Sequence, residues 1–309
     1  MKRQRGLTII ELMIAVSIGA LVTLLAVSLL VTSNAGFVAQ AEAASVDDAG
    51  RFALASIERA ARQTAFVDWE RANLAAGADP AAPPRVRGLD AASLPKTSVA
   101  LGNPRPAAVN GSDILALRFA GAGAADGDGS MITCAGFSVG AGQEGWSMFY
   151  VGLYAAGAAE LRCKYKGANN WSAEAVIGGV DSFQVLYGLD TDPVADGSAN
   201  EYLSATDINA RDSMLVLAGA TDAERQRDQM RKTWWKRVAS IKVSLLLHGA
   251  RHSRNGSASA FDLFGAAYSG TWGSTDRGTR ITKAELAPGL QERQRRAFSS
   301  TILLRNPAK

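Results

Sequence analysis

The chain has 309 residues, 33 of them basic and 29 acidic, for a formal charge of +4, and 47% of it is hydrophobic. Ordinary apolar content with a 20% charged fraction excludes global disorder, and this length allows one large domain or two small ones. Two cysteines exclude a disulfide-dense scaffold and a four-cysteine zinc site, and two histidines, His248 and His252, leave little for metal or triad chemistry.

The unevenness of the chain lies at its start. Lys2, Arg3 and Arg5 form a basic head ahead of Gly6, and the 30 residues from Leu12 to Ala41 carry no charge. About 20 apolar residues suffice to cross a hydrocarbon core as a helix. Basic residues before the span, with none soon after it, predict a cytoplasmic N-terminus and an extracytoplasmic bulk. Glu11 interrupts the apolar run. A carboxylate at the bilayer centre costs roughly 2.5–3.5 kcal/mol, which makes such a residue a functional candidate. The bland alternative is a side chain that snorkels to the interface.

Arg5-Gly6 followed by Leu7-Thr8-Ile9-Ile10-Glu11 and a long apolar helix resembles the class III signal of type IV prepilins. The resemblance implies that prepilin peptidase cuts between Gly6 and Leu7 and methylates the Leu7 amine, so that the apolar helix stays. It also implies that Glu11 pairs with the N-terminal amine of an adjacent subunit in the fibre. Leu7 stands where most members have Phe. The alternatives are a plain signal anchor, or a secretory peptide cut near Ala39-Gln40-Ala41. Without Lys2, Arg3 and Arg5 the formal charge falls to +1, so the basicity is mostly a topology signal.

Farther along, Phe52, Leu54, Ile57, Ala60 and Ala61 recur at helical spacing. This predicts one helix over 7–66, transmembrane over about 12–31, with a bend near Gly36 because glycine weakens a helix interior. Residues 67–111 read as a connection, holding Pro80, Pro83, Pro84, Pro95, Pro104 and Pro106. The head, 112–309, shows strand-like runs at Ile114–Phe119, Met131–Phe137, Trp146–Tyr154, Glu160–Tyr165, Phe183–Tyr187, Ser240–Leu247 and Phe298–Leu304. Thr221–Lys236 is charged enough to be a solvated helix. The expected fold is α+β: a long N-terminal helix, its first half transmembrane, packed on an antiparallel β-sheet head.

Three stretches sharpen the resemblance to pilins. AGRFALASIERAARQTAF, VDSFQVLYGLDTD, and WKRVASIKVSLLLHGARHS with RRAFSSTILLRN are similar to the post-membrane helix, central strand and last strands of PilW-type minor pilins. The resemblance implies a type IV pilin-like fold and a minor pilin that helps to initiate, or prime, pilus assembly near the fibre tip. The implied partners are other minor pilins, the major pilin, the inner-membrane assembly platform, prepilin peptidase and a tip adhesin. The implied location is the inner membrane as a single pass, then the fibre in the periplasm or at the cell surface. Twitching, adhesion and DNA uptake stay open. The near alternative is a J-like pseudopilin of type II secretion; the alternative of another class is a membrane-anchored extracytoplasmic enzyme or binding protein.

Chemistry-bearing residues are few. Cys134 and Cys163 fall on two expected strands outside the cytoplasm, where a structural disulfide persists; two unrelated buried thiols are the alternative. Asp190, Asp192 and Asp196 alternate in an acidic turn and are candidate calcium ligands. Val194 holds the fifth place, where an EF-hand needs an oxygen, and Glu201 and Asp207 are the only further helpers. Turn chemistry is the ordinary reason for loop aspartates. No other cofactor is expected. Gly136-Phe-Ser138-Val-Gly140 has nucleophile-elbow spacing but lacks the following helix. Gly140-Ala-Gly142-Gln-Glu-Gly145 has dinucleotide-fingerprint spacing but runs into a strand. Both read as glycine-rich turns, and the chain reads as no enzyme. Arg225, Arg227, Arg231, Lys232, Lys236 and Arg237 surround Trp234 and Trp235, a pattern that can hold single-stranded nucleic acid. Glu224 and Asp228 dilute it, so the tryptophans are expected to anchor this segment on the sheet or meet a neighbouring subunit.

Overall fold

The computed structural model describes residues 8–64, 80–154, 157–250 and 259–304. Two compact units divide the chain, residues 1–45 and 46–309, and helix α1 (Ile9–Gln63) contributes to both.

In the first unit every described residue up to Phe37 is exposed. A helix apolar on all sides and exposed on all sides suits a lipid surround, and this one is long and apolar enough to cross a membrane. Its hydroxyls are closed onto the helix backbone: Ser17 Oγ donates to Met13 O at 2.8 Å, Thr23 Oγ1 to Gly19 O at 2.8 Å and Thr32 Oγ1 to Ser28 O at 2.8 Å. No polar donor on these side chains then needs a partner in lipid. The helix continues through Gly19 and Gly36, with no break at either. The i→i−4 ladder tolerates a lone glycine at a cost of about 1 kcal/mol. The outermost residues of the expected helix, Leu7, Ala65 and Phe66, lie outside the described residues.

In the second unit Val46, Gly50, Ala53, Ile57, Ala60 and Ala61 of α1 are buried, one stripe at helical spacing. Next come β1 (Val86–Leu89), β2 (Ala92–Ser93), β3 (Arg105–Pro106), β4 (Ile114–Ala120), β5 (Glu144–Leu153), β6 (Ala159–Lys166), β7 (Trp171–Gly178), β8 (Val180–Leu189) and β9 (Glu201–Leu203). Helices α2 (Ala205–Ser213) and α3 (Asp222–Lys232) and a 3-10 turn, Trp234–Arg237, follow. The rest is β10 (Val238–His248), β11 (Ala260–Asp262), α4 (Ala266–Trp272), β12 (Arg280–Thr282) and β13 (Arg295–Leu303).

Two larger sheets form, β1-β4-β5-β6-β7 and β13-β10-β8-β9, antiparallel at every pairing. The main core joins Ala53 and Ile57 of α1 to Leu115, Phe149 and Leu161 of the first sheet and to Phe183, Val185 and Val243 of the second. This is the expected helix on an antiparallel head. All ten residues of β8 are buried, polar ones included. Ser182 Oγ donates to Gly278 O at 3.0 Å and Gln184 Nε2 to Gly111 O at 2.9 Å, while Gln184 Oε1 has no partner among the described residues.

One expected strand is corrected. Met131–Phe137 is a tight turn carrying a lone bridge between Ile132 and Ser138. Gly136, at φ 85°, lets its N–H reach Thr133 O at 2.8 Å, so the run folds back on itself instead of extending. Cys134 therefore sits on this turn. Short strands β1 to β3 lie within the expected connection, and β1 pairs with β4. Helix α3 begins where a capping box places it, Thr221 and Glu224 each accepting the other's backbone N–H.

Candidate subunit-assembly segment

At the start of α1, Thr8 is the N-cap and Glu11 stands three residues on. Thr8 N–H donates to Glu11 Oε2 at 2.9 Å, Thr8 Oγ1 to the same oxygen at 3.0 Å, and Glu11 N–H to Thr8 Oγ1 at 3.3 Å. This is a capping box, so Glu11 already satisfies helix-terminal donors beside the positive end of the helix dipole. The Thr8-x-x-Glu11 spacing is the sequence signal of such a box, and neither the amine-partner nor the snorkelling reading of Glu11 uses it. Oε1 has no partner among the described residues. A cation can bind there while the cap remains. The leader and the scissile pair Gly6-Leu7, with the Leu7 methylation site, lie outside the described residues.

Cys134 and Cys163 are joined by a disulfide with Cα atoms 5.9 Å apart. It ties the 133–136 turn to β6, where Cys163 lies in the core.

The carboxylates of Asp190, Asp192 and Asp196 can all place an oxygen within 4.8 Å of one another. Each also closes its own turn. Asp190 accepts from the N–H groups of Gly197 at 2.7 Å and Asp192 at 3.1 Å; Asp196 accepts from Ser198 N–H at 2.7 Å; Asp192 accepts from Asn200 Nδ2 at 3.2 Å. The Gly197 N–H holds the Asp190 carboxyl below the usual carboxylate range. Arg237 stands 3.7 Å from Asp190. The two suggested helpers are engaged elsewhere, Glu201 with Arg211 at 2.5 Å and Asp207 with Ser204 Oγ at 3.0 Å.

Trp235 is buried, meets Tyr187 edge-on with ring centroids 4.8 Å apart, and donates from Nε1 to Asn209 Oδ1 at 2.9 Å. Trp234 lies between Arg211 and Arg237, each 5.7 Å from its ring. Arg225 pairs with Asp222 at 2.5 Å and Lys232 with Asp228 at 2.7 Å. The tryptophans thus anchor this segment to the sheet, and the acidic neighbours offset its charge. Ser138 sits in the isolated bridge with Ile132, and the 140–145 run is a turn leading into β5, with no helix after either.

Sequence reasoning missed two buried polar centres. Lys164 is fully buried, yet its Nζ donates to Pro95 O at 3.0 Å, Ser98 Oγ at 2.7 Å and Ala100 O at 3.0 Å. Desolvation lowers this ammonium's pKa to about 8. Asp113, also buried, accepts N–H bonds from Ala91 at 3.0 Å and Val185 at 2.9 Å, and burial pushes its carboxyl well up. Nearby, Tyr268 Oη donates to Asp276 at 2.7 Å, and burial lifts Asp276 to about 6. Lys164 continues the Glu160, Arg162 alternation of charged residues in its strand, so nothing in the local sequence signals its burial. The second centre joins residues far apart in the chain, and nothing in sequence links them.

Two family models match the chain. The prokaryotic N-terminal methylation motif matches residues 1–27. A type IV-like pilin from Thermus thermophilus is similar at 18% identity, covering 66% of this chain and 83% of that one, with a TM-score of 0.29. No curated protein matches the chain. The family model described as type IV pilus-assembly protein W matches residues 148–306, just over half of the chain. With the apolar anchor helix and the antiparallel head in place, that match identifies the chain as a member of the PilW family of type IV pilus minor pilins.

Proposed function

We propose that this minor pilin helps to initiate fibre assembly and sits near the fibre tip. The observation that carries the reading is Glu11, the lone carboxylate in an exposed apolar helix end, with one oxygen on the Thr8 cap and the other without a described partner. Prepilin peptidase would cut after Gly6 and the Leu7 amine would be methylated. The subunit would wait in the inner membrane as a single pass. Glu11 would then meet the N-terminal amine of a neighbouring pilin as the apolar helices bundle. In a low-dielectric bundle a carboxylate and an ammonium attract strongly, and each alone costs too much to bury, so the pair sets the axial register. The assembly platform, the major pilin, other minor pilins and a tip adhesin would be the partners. The role is structural, with no catalytic residue assigned.

A Glu11→Ala variant tests this. It should insert into the membrane and be processed, yet be lost from purified fibres and from minor-pilin complexes. Normal incorporation would remove the role given to Glu11.

A further inference from the structure

We propose that the segment running from β11 through α4 to β12 is a latch on the head, closed in mild acid and loosened at neutral pH, with Asp276 as its titrating group. Four aspartates from four parts of the chain meet there. Asp90, in the turn after β1, accepts from the N–H groups of Ala205 at 3.0 Å and Thr206 at 2.7 Å, and so holds the first turn of α2, which carries Asp207. The next residue, Ala91, donates to Asp113 at 3.0 Å. Asn110 and Gly111, just before Asp113, close on the 276–279 turn. A Cβ on Gly278 would fall 2.3 Å from Asn110 O, and one on Gly111 would fall 2.7 Å from Arg277 O. Asp276 is buried in that turn and accepts from Tyr268 Oη at 2.7 Å.

The charges that act on Asp276 are of one sign. Asp90 faces it from the turn after β1, Asp207 from α2 and Asp113 from the start of β4. The basic residues of its own segment turn elsewhere: Arg280 pairs with Asp262 at 3.7 Å, and Arg277 acts on Glu285. Lys242 of β10 lies over the Phe264 ring. Once ionised, Asp276 is therefore a buried carboxylate among carboxylates, with no basic side chain paired to it among the described residues. Once protonated it is neutral and still accepts from Tyr268.

The segment is lightly held. Strands β11 and β12 have three residues each and α4 has seven, and they share a small core with β10, formed by Leu246, Leu263, Ile281 and Leu286. Ser182 Oγ ties it to β8 through Gly278 O at 3.0 Å, and Ser244 Oγ ties it to β10 through Leu263 O at 2.9 Å. A small unit with few buried contacts opens on its own, at less cost than unfolding the whole head. Ionisation of Asp276 acts on that local equilibrium. The closed segment holds the proton with a pKa of about 6, against about 3.9 for an open, solvated aspartate. The closed form binds the proton more tightly, so the ratio of open to closed segment rises with pH, by about tenfold between pH 5 and pH 7.5.

Hydrogen exchange on the full-length chain in detergent micelles tests the latch, with rates corrected for the intrinsic pH dependence of amide exchange. The segment carries its own reporters: Leu263 N–H donates to Thr279 O at 2.8 Å and Gly273 N–H to Ser269 O at 3.0 Å. Amides over 263–282 should be about tenfold less protected at pH 7.5 than at pH 5, and should respond weakly to low urea. Amides of β5 and β6 should be better protected at both pH values and respond steeply, because only global unfolding frees them. Asp276→Asn, which can still accept from Tyr268, should remove most of the pH change over 263–282. Asp207→Asn removes one facing charge and should reduce that change. If Asp276→Asn loses its melting transition, Asp207→Asn is read instead. Equal protection over 263–282 at the two pH values, exchange of 263–282 in step with β5, or the full pH change persisting in the variant read would overturn the proposal.

Discussion

Gly50 of α1 lies flat against the Phe298 ring of β13: a Cβ placed on Gly50 would fall 2.5 Å from a ring carbon. Glycine in a helix interior ordinarily costs up to about 1 kcal/mol relative to alanine, so alanine here should stabilise if the space were open. It is not open. Gly50→Val should lower head stability by about 1–3 kcal/mol, the usual cost of overpacking. Phe298→Ala in the same chain should recover part of the loss. Denaturant melts of the four chains of this cycle read the coupling, which should be near zero if the two residues do not meet.

The Cys134–Cys163 bridge closes a loop of 29 residues in sequence separation. Chain-entropy reasoning gives about 3–4 kcal/mol for a loop of this size. Cys134→Ser with Cys163→Ser should lower the melting temperature and open the 131–138 turn to proteolysis. Limited digestion followed by mass analysis locates the cut.

Acid should stabilise the head over one interval. Asp276 has a pKa raised to about 6 in the fold, chiefly by burial, against about 3.9 for an unfolded aspartate. The folded chain then binds the proton more readily than the unfolded one, so stability rises as pH falls from above 6 toward 4. Asp113 is shifted the same way and adds to the trend. Asp276→Asn, which can still accept from Tyr268, should raise the melting temperature at pH 7.5 and flatten the slope between pH 7 and 5. An unchanged slope would remove Asp276 as its source.

Lys164 pins the 95–100 loop through two carbonyls and a serine hydroxyl. Lys164→Met keeps the stem but leaves the Pro95 and Ala100 carbonyls without their donor, a cost of about 1–3 kcal/mol for each group left buried. Amide exchange should quicken over the loop and stay unchanged in β10.

The anchor helix, the head half of α1 and the strands β4, β5, β6, β8, β10 and β13 were legible because periodicity reports what each face touches. β7 was not: Trp171–Gly178 holds two alanines and an exposed glutamate, and its place as a margin strand comes from β6. Helix α2 is nine residues long and lies between a short strand and a turn, where capping by Ser204 is a weak signal. Met131–Phe137 looked extended as a short, mostly apolar run, but the Gly136 turn and the Cys134 bridge decide its path. Within the assembly segment, the Leu7-Thr8-Ile9-Ile10-Glu11 motif and the Thr8-x-x-Glu11 capping spacing both stand in the sequence, while the coordinates show that one Glu11 oxygen takes both Thr8 bonds. The buried Lys164 and Asp113 centres depend on contacts between distant segments, which no local pattern records.

The central claim is that this chain is processed as a prepilin and assembles through its new N-terminus. Intact-mass analysis of the protein from cells with active prepilin peptidase addresses it directly. The account predicts a chain that begins at Leu7 and carries one added methyl group. A chain that still begins at Met1, or one cut beyond the apolar helix, contradicts it.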